Sequence, residues 1–431
     1  MATLLGSPLG DEKTNLLKIM GERLPLLYQH MMPLTEKTNL LKIMGERLPL
    51  LSIHDAYLLL RHSIALPKLL YCLRTAPCFL SPQLQQYDAV LKTINIHLSN
   101  DHSAWTQAVL PVRHGGLGIR SAVRLAPSAY LASAAASSTL VHQILPPQFS
   151  DTDLPCFQEA LALWTNSCKQ SPPEGITSYH QKSWDIPTIL AIILNSATNE
   201  SSKSRLLAAF SEESGIWLNA LPLSSLGLRM NDSTFQIAVS LRLGLAFCKP
   251  HSCHHCGCEV TAFATHGLSC VKTFGASRIP SRLEPSGISR SDGKRPDGAT
   301  LVPWKCGKLL VWDATCVDTY APSYSRVASQ EAGAVADQAE KRKSDKYSNM
   351  DPNMFLFAPV VIETSGVFEK QTLSFLKDLA CRVRKVSGEV KSFPYLLKRL
   401  AVAIQRGNAV SVLGTFASED CLVFEDSDAY Y

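Results

Sequence analysis

The chain has 431 residues, 46% of them hydrophobic and 18% charged, with a formal net charge of +5. That length gives roughly two to four globular units room to bury a core, and the composition excludes collagen-like, coiled-coil and wholly disordered classes. So small a net charge leaves any nucleic-acid affinity to local basic patches. No stretch reaches the roughly 20 apolar residues that span a bilayer, and the least charged one, residues 125–145, reads as an Ala/Ser-rich helix. Residues 1–11 lack the basic start and apolar core of a signal peptide, so an intracellular protein with no membrane partner is expected.

In chain order, residues 12–27 (EKTNLLKIMGERLPLL) recur unchanged at residues 36–51. Solenoid repeats diverge and need about three copies to share a core. Residues 1–51 therefore read as a duplicated helical segment with one copy surplus to the fold. Leu16, Leu17, Met20 and Leu24 fall at helical spacing in the first copy, and Pro25 stops the helix.

Residues 52–247 read as mostly helical. HDAYLLLRHSIALPKLLYCLRTAP (54–77) is followed by a helix through Tyr87, Leu91 and Ile94, and SPPEG (171–175) and NESSKS (199–204) mark loops. The glycine-rich HGGLGIR (114–120) matches neither GxGxxG nor the P-loop pattern, so a tight turn is expected and no small-molecule substrate is evident. No spacing supports a Ser/His/Asp or Cys/His catalytic set.

The texture changes after residue 275. KLLVWDATCV (308–317) and FLFAPVVIET (355–364) are β-rich, and AGAVADQAEKRKSDKY (332–347) between them is helical. Strand, helix, strand predicts a small α/β domain over residues 276–417. Helical patterns return over 373–405, and residues 418–431 form an acidic tail expected to be loose. The fold class is thus α followed by α/β.

Cysteine carries the first chemical signal. The count is 13, odd for a disulfide framework, and five cysteines with four of the 12 histidines fall in residues 248–270. Cys253-x2-Cys256, nine residues, then His266-x3-Cys270 offers four ligands for a tetrahedral structural zinc, a knuckle over residues 248–275. Cys258, His254 and His255 compete for a ligand place, and Cys258 could replace Cys256.

The second signal is acidic. Asp297 follows a turn (GKRPDG), and Asp313 lies 16 residues on, in a strand where Asp313 and Thr315 share a face. Two such carboxylates can share one Mg²⁺, which would acidify a bound water and offset phosphodiester charge. Glu363 on the next β-rich run is a candidate third oxygen ligand. Lys341, Arg342, Lys343 and Lys346 share one predicted helix, and a lysine there could orient water or hold phosphate. Residues 371–410 hold eight basic and two acidic side chains. Lys377, Arg382, Arg384, Lys385, Lys398 and Arg399 are the phosphate-contact candidates, with Phe393 and Tyr395 near enough to stack on bases.

Taken in order, these stretches resemble the carboxy-terminal part of non-LTR retrotransposon reverse transcriptases. HDAYLLLRHSIALPKLLYCLRTAP, LPVRHGGLGIRSAVRLAPSAYLAS, ESGIWLNALP and FQIAVSLRLGLAFCKPHSC resemble the thumb-like and linker region after the polymerase palm. The Cys/His knuckle with RPDG and VWDATCVDT resembles the restriction-enzyme-like endonuclease that follows. The resemblance covers residues 52–417 and implies several things. Cys253, Cys256, His266 and Cys270 would bind zinc. Asp297 and Asp313 would be the metal-binding acids of a PD-(D/E)XK-type nuclease that cuts DNA with Mg²⁺. DNA or RNA would be the partner, and the location nuclear. Three departures stand out. No Tyr/Phe-x-Asp-Asp palm motif is present, so no polymerase activity is expected; Thr315 occupies the usual lysine place, leaving Lys343 or Lys346 to serve; and the stretch after Cys270 is short. The same residues also fit a nucleic-acid-binding protein that does not cut, and the unbroken duplicate fits an inactive transposon remnant.

Overall fold

Long apolar-periodic segments with few β-branched runs favour helix over the first 250 residues, and helix is what forms over most of the described residues there. The computed structural model describes residues 3–4, 7–8, 34–94, 102–144, 155–196, 200–270, 295–300, 302–416 and 422. The first repeat copy, the stretch 271–294 and the acidic tail apart from Leu422 lie outside these described residues, so the expectations attached to them do too.

Among the described residues the helical half runs α1 (Leu34–Arg47), α2 (Ile53–Leu59), α3 (Leu66–Thr75), α4 (Pro82–Thr93) and α5 (His102–Ala108). It continues through α6 (Ala122–Ile144), α7 (Pro155–Cys168), α8 (Gln181–Ser196), α9 (Glu200–Phe210) and α10 (Asp232–Leu243). The rest runs β1 (His251–Ser252), β2 (Glu259–Val260), α11 (His266–Ser269), β3 (Gly298–Ala299) and β4 (Leu309–Val317). Then come α12 (Ser325–Ala328), α13 (Ala334–Lys346), β5 (Phe355–Glu363), α14 (Lys370–Ser387) and α15 (Ser392–Leu413). None of the described helices is long and apolar enough to cross a membrane.

Two expectations need correcting. The helix read over 54–77 breaks into α2, a π-turn (Leu60–Ile64) and α3, where Pro67, with no amide to donate, falls in the first turn of the new helix. NESSKS was expected to be a loop, yet residues 200–204 are the first turns of α9. The Ser204 hydroxyl donates back to the Glu200 carbonyl (2.8 Å) and the serine is buried, while the other polar side chains line the wetter face.

The chain divides into two compact units that interleave in sequence. The first comprises Met1–Leu50, Leu59–Asn95 and Arg120–Ile192, and the second Leu51–Leu58, Ile96–Ile119 and Ile193–Tyr431. In the first, α3 and α6 pack through buried Leu69, Leu73, Leu125 and Ala129. Asp88 of α4 caps α6 by accepting from the Ser121 hydroxyl (2.5 Å) and the Ala122 amide (2.7 Å). Trp164 meets Trp184 edge-on at 5.0 Å, and each indole N–H donates to a backbone carbonyl.

The second unit holds both candidate sites. Its helical part is built around Phe235, against which His54 stacks (5.0 Å) and Trp217 stands edge-on (5.6 Å). The HGGLGIR turn is structural. Gly115 and Gly118 have φ of +83° and +75°, and a side chain on Gly116 would collide with the Leu110 carbonyl. The turn wraps the buried Arg242 guanidinium, which donates to the Val112 (2.8 Å) and Gly116 (3.2 Å) carbonyls.

The α/β part is a three-stranded sheet in the order β3-β4-β5, with β3 antiparallel to β4 and β4 parallel to β5. The parallel register runs from Leu309↔Phe355 to Val317↔Glu363, with α13 as the crossover. β5 is an edge strand, which is why Pro359 is tolerated in it. One face packs Val317 and Val361 on Ala336 and Ala339 of α13. The other packs Ile362 on Leu376 of α14 and Leu397 and Ile404 of α15.

Candidate metal centre and carboxylate site

The hairpin β1–β2 carries Cys253 and Cys256 in its turn. There the Cys253 amide donates to the Cys258 carbonyl (2.8 Å), the Gly257 amide donates to the Cys253 carbonyl (2.8 Å), and Gly257 has φ +74°. One helical turn, α11, supplies His266 at its start, and Cys270 follows its end. The four donor atoms lie within 4.8 Å of one another. Cys253 Sγ and Cys270 Sγ are 3.9 Å apart, and Cys256 Sγ is 3.1 Å from His266 Nε2. Tetrahedral zinc with Zn–S bonds near 2.3 Å holds its sulfurs about 3.8 Å apart, so this Cys3His set fits such an ion.

The competitors fall away by position. Cys258 is exposed, and His254 and His255 are exposed with their rings edge-on to each other at 5.6 Å. The module docks on α15. Gly267 approaches so closely that an added Cβ would sit 2.8 Å from the Ser411 carbonyl oxygen and 2.8 Å from Val412 Cα. His251 reaches the Thr415 hydroxyl (3.1 Å), and the His254 amide donates to the Thr415 carbonyl (2.9 Å). Cys253, Val260, Leu268 and Cys270 thus share a core with Phe247 and Val412.

The carboxylate site lies where β3, β4 and the last turns of α13 meet. Asp313 is 5% exposed and faces α13, as strand alternation requires. Lys343 Nζ donates to Asp313 Oδ2 at 2.7 Å and to the Ala314 carbonyl at 3.2 Å, and Lys346 Nζ reaches the same Asp313 oxygen at 3.4 Å. Asp297 Oδ2 accepts from the Ala314 amide at 2.6 Å. Burial, and the negative charge of Asp313 beside it, raise the Asp297 carboxyl above the ordinary carboxylate range against the pull of the Ala314 amide. Two carboxylates and two ammonium groups, scattered over 50 residues of sequence, therefore converge on one patch.

Glu363 does not join them. It is paired with Val317, four strand positions from Asp313, or roughly 13 Å along the strand. It is buried and accepts from the Thr319 hydroxyl (2.9 Å), the Ser365 hydroxyl (3.0 Å) and the Ala336 amide (3.2 Å) at the start of α13. Its role is to seat that helix. Beside it sits Asp318, a buried carboxyl that sequence reasoning missed, although an Asp-Thr pair straight after a nine-residue strand is a signal. Its Oδ1 accepts from the Tyr320 amide (2.9 Å) and the Thr364 hydroxyl (3.2 Å), and burial pushes its pKa up to about 6.

The basic candidates divide. Lys377 is exposed, with its ammonium 5.9 Å from the Phe393 ring centre, and Arg384 and Lys385 are exposed at the end of α14. Lys398 is half-buried, while Arg399 donates to the Gly227 carbonyl (2.9 Å). Arg382 donates to the Trp304 carbonyl and lies over its ring at 3.8 Å. Phe393 packs into the α14–α15 core, and the Tyr395 hydroxyl donates to the Leu226 carbonyl (3.3 Å). Comparison with protein-family models and with curated proteins gives no match to this chain.

Proposed function

We propose that the α/β part of the second unit is a Mg²⁺-dependent DNA endonuclease module of the PD-(D/E)XK kind, in a chain related to non-LTR retrotransposon proteins. Zinc held by the CCHC knuckle is structural, with all four places filled by protein. The observation that carries this reading is the meeting of Asp297, Asp313, Lys343 and Lys346 where β3, β4 and the end of α13 come together.

The donor set suits the reaction. Asp297 and Asp313 offer hard oxygens, and a divalent cation between them would offset the negative charge that each carboxylate places beside the other. Mg²⁺ held there would supply Lewis acidity toward a phosphodiester oxygen and acidify a bound water. Lys343 approaches from α13 in place of the lysine that related nucleases carry where this chain has Thr315. Its ammonium, fixed by Asp313 and the Ala314 carbonyl, is set to orient a water or offset phosphate charge. Lys377, Arg384 and Lys385 supply backbone contacts along α14, and a DNA target accords with a nuclear location.

Conversion of supercoiled plasmid to nicked circle by the zinc-loaded chain tests this. Cutting should require Mg²⁺ and fall about a hundredfold or more in Asp313→Ala. No Mg²⁺-dependent nicking, or nicking indifferent to the substitution, rejects the reading; salt-sensitive binding without cutting would leave a nucleic-acid-binding protein in its place.

A further inference from the structure

On the sheet face away from α13, the strands do not close fully against α14 and α15. Among the described residues a cavity of about 690 Å³ opens there. Packed interiors hold few voids larger than a water molecule, so a space of this size is on the scale of a ligand pocket. Three aromatic rings line it: Trp304 ahead of β4, Trp312 within β4, and Phe375 on α14. Asp297 and Thr300, beside β3, line it as well and bring side-chain oxygens to it.

Asp297 therefore belongs to two places at once. It lines the cavity, and it stands in the carboxylate site through its bond to the Ala314 amide. The aromatic wall also carries a cation, since the Arg382 guanidinium lies over the Trp304 ring at 3.8 Å. Flat apolar faces, a polar end adjoining the carboxylates, and a cation beside the rings match a planar base carried on a phosphate. A purely apolar ligand would need neither the cation nor the continuity with Asp297.

We infer that this cavity receives one unpaired nucleobase of the DNA strand bound at Asp297 and Asp313. The base stacks on Trp312 and Phe375, and its polar edge turns toward Thr300 and Asp297. This rests on the endonuclease reading and extends it, because the substrate becomes DNA with a base out of the stack.

Fluorescence anisotropy without Mg²⁺, using the zinc-loaded full chain, tests it. Two labelled duplexes are compared, one with a single unpaired adenine and one with an abasic residue at the same place. The adenine duplex should bind roughly tenfold more tightly, the scale of one base stacking on an aromatic side chain. Leu379 lines the cavity. Leu379→Trp, which fills the space, should bring the ratio of the two affinities to about one, whereas Leu379→Met should keep it. Equal binding of both duplexes by the parent chain, or a ratio that survives Leu379→Trp, overturns the base pocket alone. Binding of neither duplex overturns the pocket and the endonuclease reading together.

Discussion

Asp318 shows how a single buried group sets a pH dependence. Its folded pKa of about 6 lies above the ordinary carboxylate value, so ionising it in the folded state costs free energy. Its contribution to stability is fully present below about pH 4 and is lost as pH rises through about 6. Asp318→Asn keeps an acceptor for the Tyr320 amide and cannot ionise. Denaturant melts should show the variant level with its parent at pH 4 and more stable by about 2 kcal/mol at pH 7.5; a gap that does not grow with pH contradicts this. Lys343 makes the complementary case at the carboxylate site. Lys343→Met should cut nicking more deeply than Lys346→Met, because the first ammonium is 2.7 Å from Asp313 and the second 3.4 Å. Equal rates for the two variants would remove Lys343 from its assigned role. Residues of this kind were unequally legible. Cys253, Cys256, His266 and Cys270 stand at spacings that the chemistry of one ion dictates, so sequence alone found them. Lys343 lies 30 residues from Asp313, and only the helical crossover brings it back. Glu363 misled because alternation reports the face of a sheet, and says nothing of how far along the strands a carboxylate lies.

At the scale of elements, the contact between α11 and α15 is the most constrained. Gly267→Val would drive a side chain into the Ser411 carbonyl and the Val412 backbone, neither of which can yield without moving a 22-residue helix. It should lower stability by about 1–3 kcal/mol and speed zinc release to a chromogenic chelator. Wild-type release kinetics and melting would contradict the docking. Most of the larger elements were legible: β4, α13 and β5 form where β-rich and helical strings alternate. The two misreadings fall at particular residues. Pro67 stands in the first turn of a new helix where apolar spacing alone would continue the old one. Glu200 and the serines after it look like a linker, but their polar side chains line the outer face of α9 while Ser204, Leu206 and Ala209 are buried.

For the whole molecule, the Cys/His hairpin that offers the metal ligands is part of the second unit's core. Phe247, Val260, Leu268, Cys270 and Val412 are buried in one cluster that joins it to α15. Chelation should therefore lower the thermal midpoint of the unit and expose its buried thiols together, read by circular dichroism and a thiol reagent; an unchanged melt would make the hairpin an appendage. What the sequence could not disclose at this scale is the interleaving. Residues 51–58 and 96–119 belong to the second unit although helical segments of the first surround them, and hydrophobic periodicity does not say which core a helix joins. The same limit hid the cavity beside Asp297, whose walls come from segments up to a hundred residues apart. The central claim is that Asp297 and Asp313 together hold a divalent cation. Electron paramagnetic resonance titration of Mn²⁺ into the zinc-loaded chain reads this directly. One bound Mn²⁺ per chain, displaced by Mg²⁺ and lost when both aspartates become asparagine, is the expected result; no bound Mn²⁺, or equal binding by the double variant, would contradict it.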